Sequence, residues 1–273
     1  MSREPALAGV RALLIDLEGT VYQDGALIPG AAQALGEAGA RGLEIAFVTN
    51  TTSRPRSILV RELAEMGIPI DANAVFSAAR VAREYLLGKG YRRCHLLTRP
   101  ALAEDFAGIV LNGAGAGAPA DADVDAVVLG DLGDTLSFER LNRALRLLVG
   151  GVKLVELVAL ARNRFWMGKD GIMLDVGALV AALEYASGTT ATLVGKPSPE
   201  FFGTVLRALS VSREEAAVIG DDPESDVGGA QALGMRGLLV RTGKSRSYDL
   251  ERSAIPVRPD AVLESIADLP RLF

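Results

Sequence analysis

Two acids stand two residues apart in Leu13-Leu14-Ile15-Asp16-Leu17-Glu18-Gly19-Thr20. Side chains at i and i+2 of an extended segment point the same way, so Asp16 and Glu18 are expected to face one spot just past a strand end. Gly19 lets the chain turn away there. Acids held together in this way call for a cation or a shared proton. Three more polar clusters follow short apolar runs: Thr49-Asn50, Lys196, and Asp221-Asp222 with Asp226. Brought together, Asp16, Asp221 and Asp226 gather negative charge. Like charges about 4 Å apart repel by roughly 4 kcal/mol at an effective dielectric of about 20. A hard divalent cation removes that cost, and oxygen-only ligands suit Mg²⁺. Lys196 adds a positive point charge, Thr49 a hydroxyl, and the amides after it further donors. The set is a cradle for a phosphoryl group. A carboxylate shielded there can attack phosphorus and form an acyl-phosphate intermediate.

Each cluster alone also fits a plain structural role. Asp16 to Thr20 fits a polar turn after a strand, and Thr49 to Ser53 a loop with a helix cap. Lys196 before Pro197 fits a solvated lysine, Gly220 to Pro223 a turn, and Asp226 a helix N-terminus. What favours chemistry is the joint appearance of four clusters in this order, each at a strand end.

The elements that must position them alternate strand and helix, which reads as a parallel sheet. Strands are expected at 11–15, 43–48 and 74–77, with a helix after Pro29-Gly30 through Ala40 and another from Ser53/Pro55 to Gly67. The pattern resumes with a strand at 191–194, a helix at 199–209 and a strand at 216–219. A small-residue helix to Leu233, a strand at 237–240 and a solvated tail at 244–259 follow. Between them lies a region of different character. It holds a helix at 78–87, strands at 95–98, 124–129 and 154–159, a Ser137-capped helix to Val149 and a helix at 176–185. Residues 112–123, rich in Gly, Ala and Asp, read as a flexible surface loop, and 162–173 as a turn-containing segment. In open parallel sheets ligands bind beyond the carboxyl ends of the strands, so the four clusters can converge.

Composition narrows the alternatives. At 273 residues the chain can form one large domain or two modest ones. Hydrophobic residues make up 49% and charged residues 23%, an ordinary globular balance. A net charge of −5 without a long basic block argues against nucleic-acid binding. Cys94 and His95 are the single cysteine and the single histidine, which excludes an internal disulfide framework and multi-His or Cys metal clusters. Both fit a reducing cytoplasm. No run reaches about 18 apolar residues and no signal pattern opens the chain, so neither a membrane span nor export is expected.

The set Asp16-Leu17-Glu18-Gly19-Thr20, Phe47-Val48-Thr49-Asn50, Gly195-Lys196-Pro197 and Gly220-Asp221 with Asp226 resembles the four motifs of the haloacid dehalogenase superfamily of phosphatases. The Gly-Lys-Pro-Ser-Pro-Glu-Phe-Phe run and the long segment between the second and third motifs resemble its NagD-like branch. The stretches 173–177, 182–186 and 235–244 resemble the phospholysine/phosphohistidine inorganic pyrophosphate phosphatase group. The likeness covers nearly the whole chain. It implies an α/β fold: a Rossmann-like parallel-sheet core of residues 1–78 and 188–273, with an inserted α/β type-II cap at 79–187. It implies Asp16 as nucleophile and Mg²⁺ ligand, Asp221 as a second ligand and the backbone carbonyl of Glu18 as a third. Thr49, Asn50 and Lys196 would hold the phosphate of a small phosphorylated substrate. Asp226 would support Lys196 or a metal-bound water, with Asp222 beside it. Caps of this kind often carry a dimer contact in the family, so a homodimer is also an expectation.

One position departs from the family pattern, which usually has Asp where this chain has Glu18. That residue protonates the leaving group and then activates water. Glu has a similar free pKa but is one methylene longer, and a misplacement of about 1 Å can cost on the order of 100-fold. A second reading follows: a phosphoryl-binding or regulatory protein with weak hydrolysis. Carbon–halogen hydrolysis shares the nucleophile, but Asp221 with Asp226 argues against it. Arg54, Arg56, His95, and the Phe165-Trp166 and Lys169-Asp170 pairs are not promoted to the site. Solvated charge, a strand position, packing of the aromatics and a turn account for them.

Overall fold

The computed structural model describes residues 6–68, 70–112, 124–151, 153–168, 171–247 and 257–273. Most of the Gly/Ala-rich loop at 112–123, Lys169-Asp170 and residues 248–256 of the expected tail lie outside them. The chain divides into two compact units, one of residues 1–49, 59–76 and 196–273, the other of residues 50–58 and 77–195.

The sheet of the first unit has the order Ala261–Leu263, Arg236–Val240, Ala216–Gly220, Ala12–Asp16, Glu44–Thr49, Val75–Ser77. Leu13 lies opposite Ala217 on one side and Ile45 on the other, and both pairings are parallel. The chain therefore builds outward from Ala12–Asp16 in one direction, then returns to build outward in the other. The reversal falls between Ala12–Asp16 and Ala216–Gly220, the topological switch point where such sheets bind ligands. Ala12 to Ile15 are fully buried, as expected of a parallel strand covered on both faces. Helix Ala31–Ala40 buries Ala31, Ala34, Leu35 and Ala38, a helical stripe. These join Leu13, Ile15 and Phe47 in one apolar cluster. Helix Pro199–Leu209 starts where Ser198 accepts from the Phe201 amide at 3.2 Å, with Pro in its first turn. Phe201 and Phe202 anchor it, fully buried.

The second unit has its own parallel sheet, ordered Thr192–Leu193, Glu156–Ala159, Ala126–Leu129, Arg93–Leu97, Val110–Asn112. Thr192–Leu193 pairs with Glu156–Ala159, so this unit runs to Gly195, beyond the expected residue 187. Helices Ala78–Gly88, Phe138–Val149 and Val176–Ser187 belong to it. The first two start on Ser77 and Ser137, whose hydroxyls accept from Arg80 and Arg140 amides.

Several expectations change. The segment at 162–173 is an antiparallel hairpin, Phe165–Gly168 with Gly171–Leu174. Its aromatics do not pack as expected: Phe165 and Trp166 are about half exposed, at 49% and 50%. The helix expected from Ser53/Pro55 spans Arg56–Glu65, because Pro55 disfavours helical backbone at Arg54. The tail after Val240 opens with a turn at Gly243–Ser247, and Ala261–Leu263 is an edge strand. Among the described residues, no helix is long and apolar enough to cross a membrane.

Candidate active site

Asp16 ends its strand and Asp221 directly follows the neighbouring one, so the switch point itself brings two acids together. The turn Pro223–Gly228 then adds Asp226. Asp16, Asp221 and Asp226 are all buried, and one carboxylate oxygen of each lies within 4.8 Å of the others. Glycine makes room for them. A Cβ on Gly220 would come 2.1 Å from Asp226 Oδ2. A Cβ on Gly19 or Gly243, both at positive φ, would come 2.3 or 2.1 Å from Asp221 Oδ2. Those positions exclude a side chain on space and on backbone conformation alike.

Lys196 answers part of this charge. It is 2% exposed. Its three N–H donors find Asp16 Oδ1 at 2.6 Å, Asp226 Oδ1 at 2.7 Å and the Val48 carbonyl at 3.2 Å. Burial works against the ammonium, but the charges of Asp16 and Asp226 hold its pKa above the usual lysine value. Three buried carboxylates thus face one buried ammonium. Burial and the charges of Asp16 and Asp226 push Asp221 up to about 8. Burial raises Asp226 to about 7 despite the pull of Lys196. Such acids call for a proton or a cation.

The donor set fits a hard divalent cation. All its donors are carboxylate oxygens gathered within 4.8 Å of one another, the ligand type such an ion takes. Both Asp226 oxygens already accept, from Lys196 Nζ and from the Asp222 amide. Asp16 accepts from Lys196 through Oδ1 and Asp221 from the Lys244 amide through Oδ2, one oxygen each. Asp16 and Asp221 are therefore the better placed to ligate, with Asp226 behind them.

The remaining expected residues fall as follows. Thr49 ends the strand Glu44–Thr49 and is buried. Asn50 is half-buried and opens the second unit. Gly195 packs close to its amide: a Cβ there would come 2.8 Å from Asn50 Oδ1. Asp222 accepts from the Glu224 and Ser225 amides at 3.1 and 3.0 Å and so starts the Pro223–Gly228 turn. Glu18 departs from expectation. Its side chain is exposed and Oε1 accepts from the Asp24 amide at 2.9 Å. The extended backbone stops at Asp16, because the Val21 and Tyr22 amides donate to the Leu17 carbonyl and fold the chain into a turn. The i, i+2 rule does not carry across that turn.

Sequence reasoning missed Lys244, whose backbone amide donates to Asp221 Oδ2 at 2.6 Å and whose ammonium donates to Asp222 Oδ2 at 2.9 Å. Its signals were its place, a few residues past the apolar strand Arg236–Val240, and the family-like stretch 235–244 that ends on it.

Known proteins now bear on this geometry. Residues 13–111 match a model described as haloacid dehalogenase-like hydrolase, and residues 193–269 one described as HAD-hydrolase-like. The human phospholysine phosphohistidine inorganic pyrophosphate phosphatase is 36% identical over 266 residues, 96% of this chain and 93% of that protein. The chain belongs to the haloacid dehalogenase-like hydrolase family, in its NagD-like branch. Human haloacid dehalogenase-like hydrolase domain-containing protein 2 is 39% identical, over 90% of each chain. The crystal structure of a 4-nitrophenylphosphatase from Thermotoga maritima superposes with a TM-score of 0.85 at 29% identity, covering 97% of this chain and 98% of that one. The family and the α/β fold read from the four motifs are thereby borne out.

Proposed function

We propose that this protein is a Mg²⁺-dependent phosphatase that hydrolyses a small phosphorylated compound through an aspartyl-phosphate on Asp16. The observation that carries the reading is the charge imbalance at the switch point: three buried carboxylates, one buried lysine, and Asp221 pushed up to about 8. Relatives named as phosphatases support it.

In this reading Asp16 attacks phosphorus and the bond to the leaving group breaks. Glu18 gives the departing oxygen its proton, then takes one from the water that cleaves the aspartyl-phosphate. Lys196 holds Asp16 in place, and with Thr49 and Asn50 it binds the non-transferred phosphoryl oxygens, giving up its longest bond, to the Val48 carbonyl, for one of them. Asp16, Asp221 and the Glu18 carbonyl would hold the cation, which when bound neutralises the phosphoryl charge against an anionic nucleophile. Asp226 fixes Lys196, and Asp222 fixes the turn that carries Asp226. The buried Cys94 thiol suits a reducing cytoplasm. A homodimer is part of the proposal on family likeness alone.

The test is a panel of phosphorylated metabolites, including phospholysine, phosphohistidine and pyrophosphate, assayed with Mg²⁺ and with EDTA. Turnover that survives EDTA sinks the cation's role.

Glu18 favours a second reading, a phosphoryl-binding protein with a crippled hydrolytic step, because its carboxylate is exposed and engaged by the Asp24 amide. That reading expects tight ligand binding with negligible turnover. Robust turnover by the unmodified chain rules it out.

A further inference from the structure

The chain after Val240 closes over the acid cluster from one side. Thr242 Oγ1 donates to the Gly19 carbonyl. Gly243 follows, with φ 54°, in a space that its missing Cβ leaves to Asp221. Lys244 then holds both consecutive acids at once. Its main chain donates to Asp221 and its side chain to Asp222. Asp222 passes the constraint on: its Oδ1 accepts from the Glu224 and Ser225 amides, and its own amide donates to Asp226 Oδ2 at 3.2 Å. The two anchors of the cluster, Asp221 and the Asp226 turn, therefore meet at one lysine.

We propose that Lys244 is a positioning residue for the divalent-cation site, acting through Asp222 and the Pro223–Gly228 turn. The inference rests on the cation reading given above. Two effects compete. A cation beside a metal site repels the metal, so removing it would tighten binding. Groups that orient metal ligands from behind typically set affinity by about 10- to 100-fold. Here the lysine side chain is half exposed, at 52%, and its ammonium is directly paired with Asp222, so the pair presents little net charge to the site. Orientation wins, and losing the side chain weakens the site.

The experiment is Mg²⁺ titration of the metal-free full chain by calorimetry, with the thermal midpoint followed against Mg²⁺ concentration. The variants are Lys244→Met, Lys244→Arg and Asp221→Asn. Lys244→Met is expected to weaken Mg²⁺ binding about tenfold while the metal-free midpoint stays near that of the parent, and Lys244→Arg to recover most of the loss. Unchanged or tighter binding in Lys244→Met, with binding lost in Asp221→Asn, overturns the role of Lys244 and leaves the cation site standing. A lowered metal-free midpoint with unchanged affinity makes Lys244 merely structural and overturns it equally. Parent-like affinity in Asp221→Asn overturns the cation reading itself, and this inference with it.

Discussion

The two units carry parallel sheets that both reverse their strand order, yet among the described residues only one gathers unbalanced charge there. In the first, the reversal between Ala12–Asp16 and Ala216–Gly220 ends in three buried carboxylates and one buried ammonium. In the second, it falls between Arg93–Leu97 and Ala126–Leu129, and the residues just beyond are Thr98-Arg99 and Gly130-Asp131. There one arginine meets one aspartate, Arg99 Nε to Asp131 Oδ2 at 2.6 Å, and the Gly133 amide donates to the other oxygen. Other acids of the second unit are equally well served. Glu156 accepts from Tyr85, Tyr91 and Thr192. Burial works against Asp125, but Lys153 and the Arg92 and Arg93 amides hold it at about 2. Asp221, by contrast, is pushed up to about 8. Topology offers a crevice at each switch point, and the residues at the strand ends decide whether it holds chemistry.

The largest expected effect sits on the buried lysine. Lys196→Met leaves Asp16 and Asp226 buried without their cation, and should cost about 3–5 kcal/mol of stability in urea unfolding without metal. A cost near zero would mean the acids take up protons freely and the imbalance is not what it appears from geometry.

Glu18→Asp comes next. If the extra methylene holds the carboxylate off the leaving group, the shorter acid should raise kcat toward a ceiling of about 100-fold with KM little changed. A slower variant would show that Glu18 is already well placed, despite its contact with the Asp24 amide.

The two units should also answer pH in opposite directions. Asp221 and Asp226 have native pKa values raised to about 8 and about 7 from 3.8. The native state then binds more protons than the unfolded chain. Their stabilisation is present below the ordinary carboxylate range and is lost as pH rises through those values. His95 in the second unit is buried, and among the described residues neither ring nitrogen has a hydrogen-bond partner. Burial, with Arg143 and Arg140 adding to it, lowers the ring to about 4 from 6.5. Its contribution is present above the ordinary histidine value and is lost as pH falls toward about 4. Hydrogen exchange by peptide, at the two ends of that range without metal, should loosen the first unit at high pH and the second at low pH. Parallel responses in both units would erase the contrast.

The smallest effect is expected at the balanced pair. Arg99 and Asp131 side chains are 40% and 33% exposed, so Arg99→Met should change stability by no more than about 1 kcal/mol. A loss matching that of Lys196→Met would put the two switch points on the same footing.

Much of this was legible because parallel strands buried on both faces read as apolar runs, and each run ends where polar residues begin. Ala12–Asp16 and Ala216–Gly220 are of that kind, and Asp16, Lys196, Asp221 and Asp226 stand at or just after such ends. What was not legible depends on contacts between distant residues or on local turns. Lys244 meets Asp221 only after the chain has made another strand, and no periodicity announces it. Glu18 leaves the direction of Asp16 because amides three and four residues on bend the backbone back to Leu17. The hairpin at Phe165–Gly168 and Gly171–Leu174 hid because apolar residues at successive positions give no alternation, and Phe165, Trp166, Ile172 and Leu174 all stand exposed on it.

The central claim is that Asp16 itself takes up the phosphoryl group. The direct measurement is to mix the Mg²⁺-loaded protein with a hydrolysable aryl phosphate, quench in acid within one turnover, and map the phosphoryl mass by peptide. The account predicts the adduct on the peptide that carries Asp16, and no adduct or turnover in Asp16→Asn. Steady turnover with no adduct on that peptide, or hydrolysis that persists in Asp16→Asn, would contradict it.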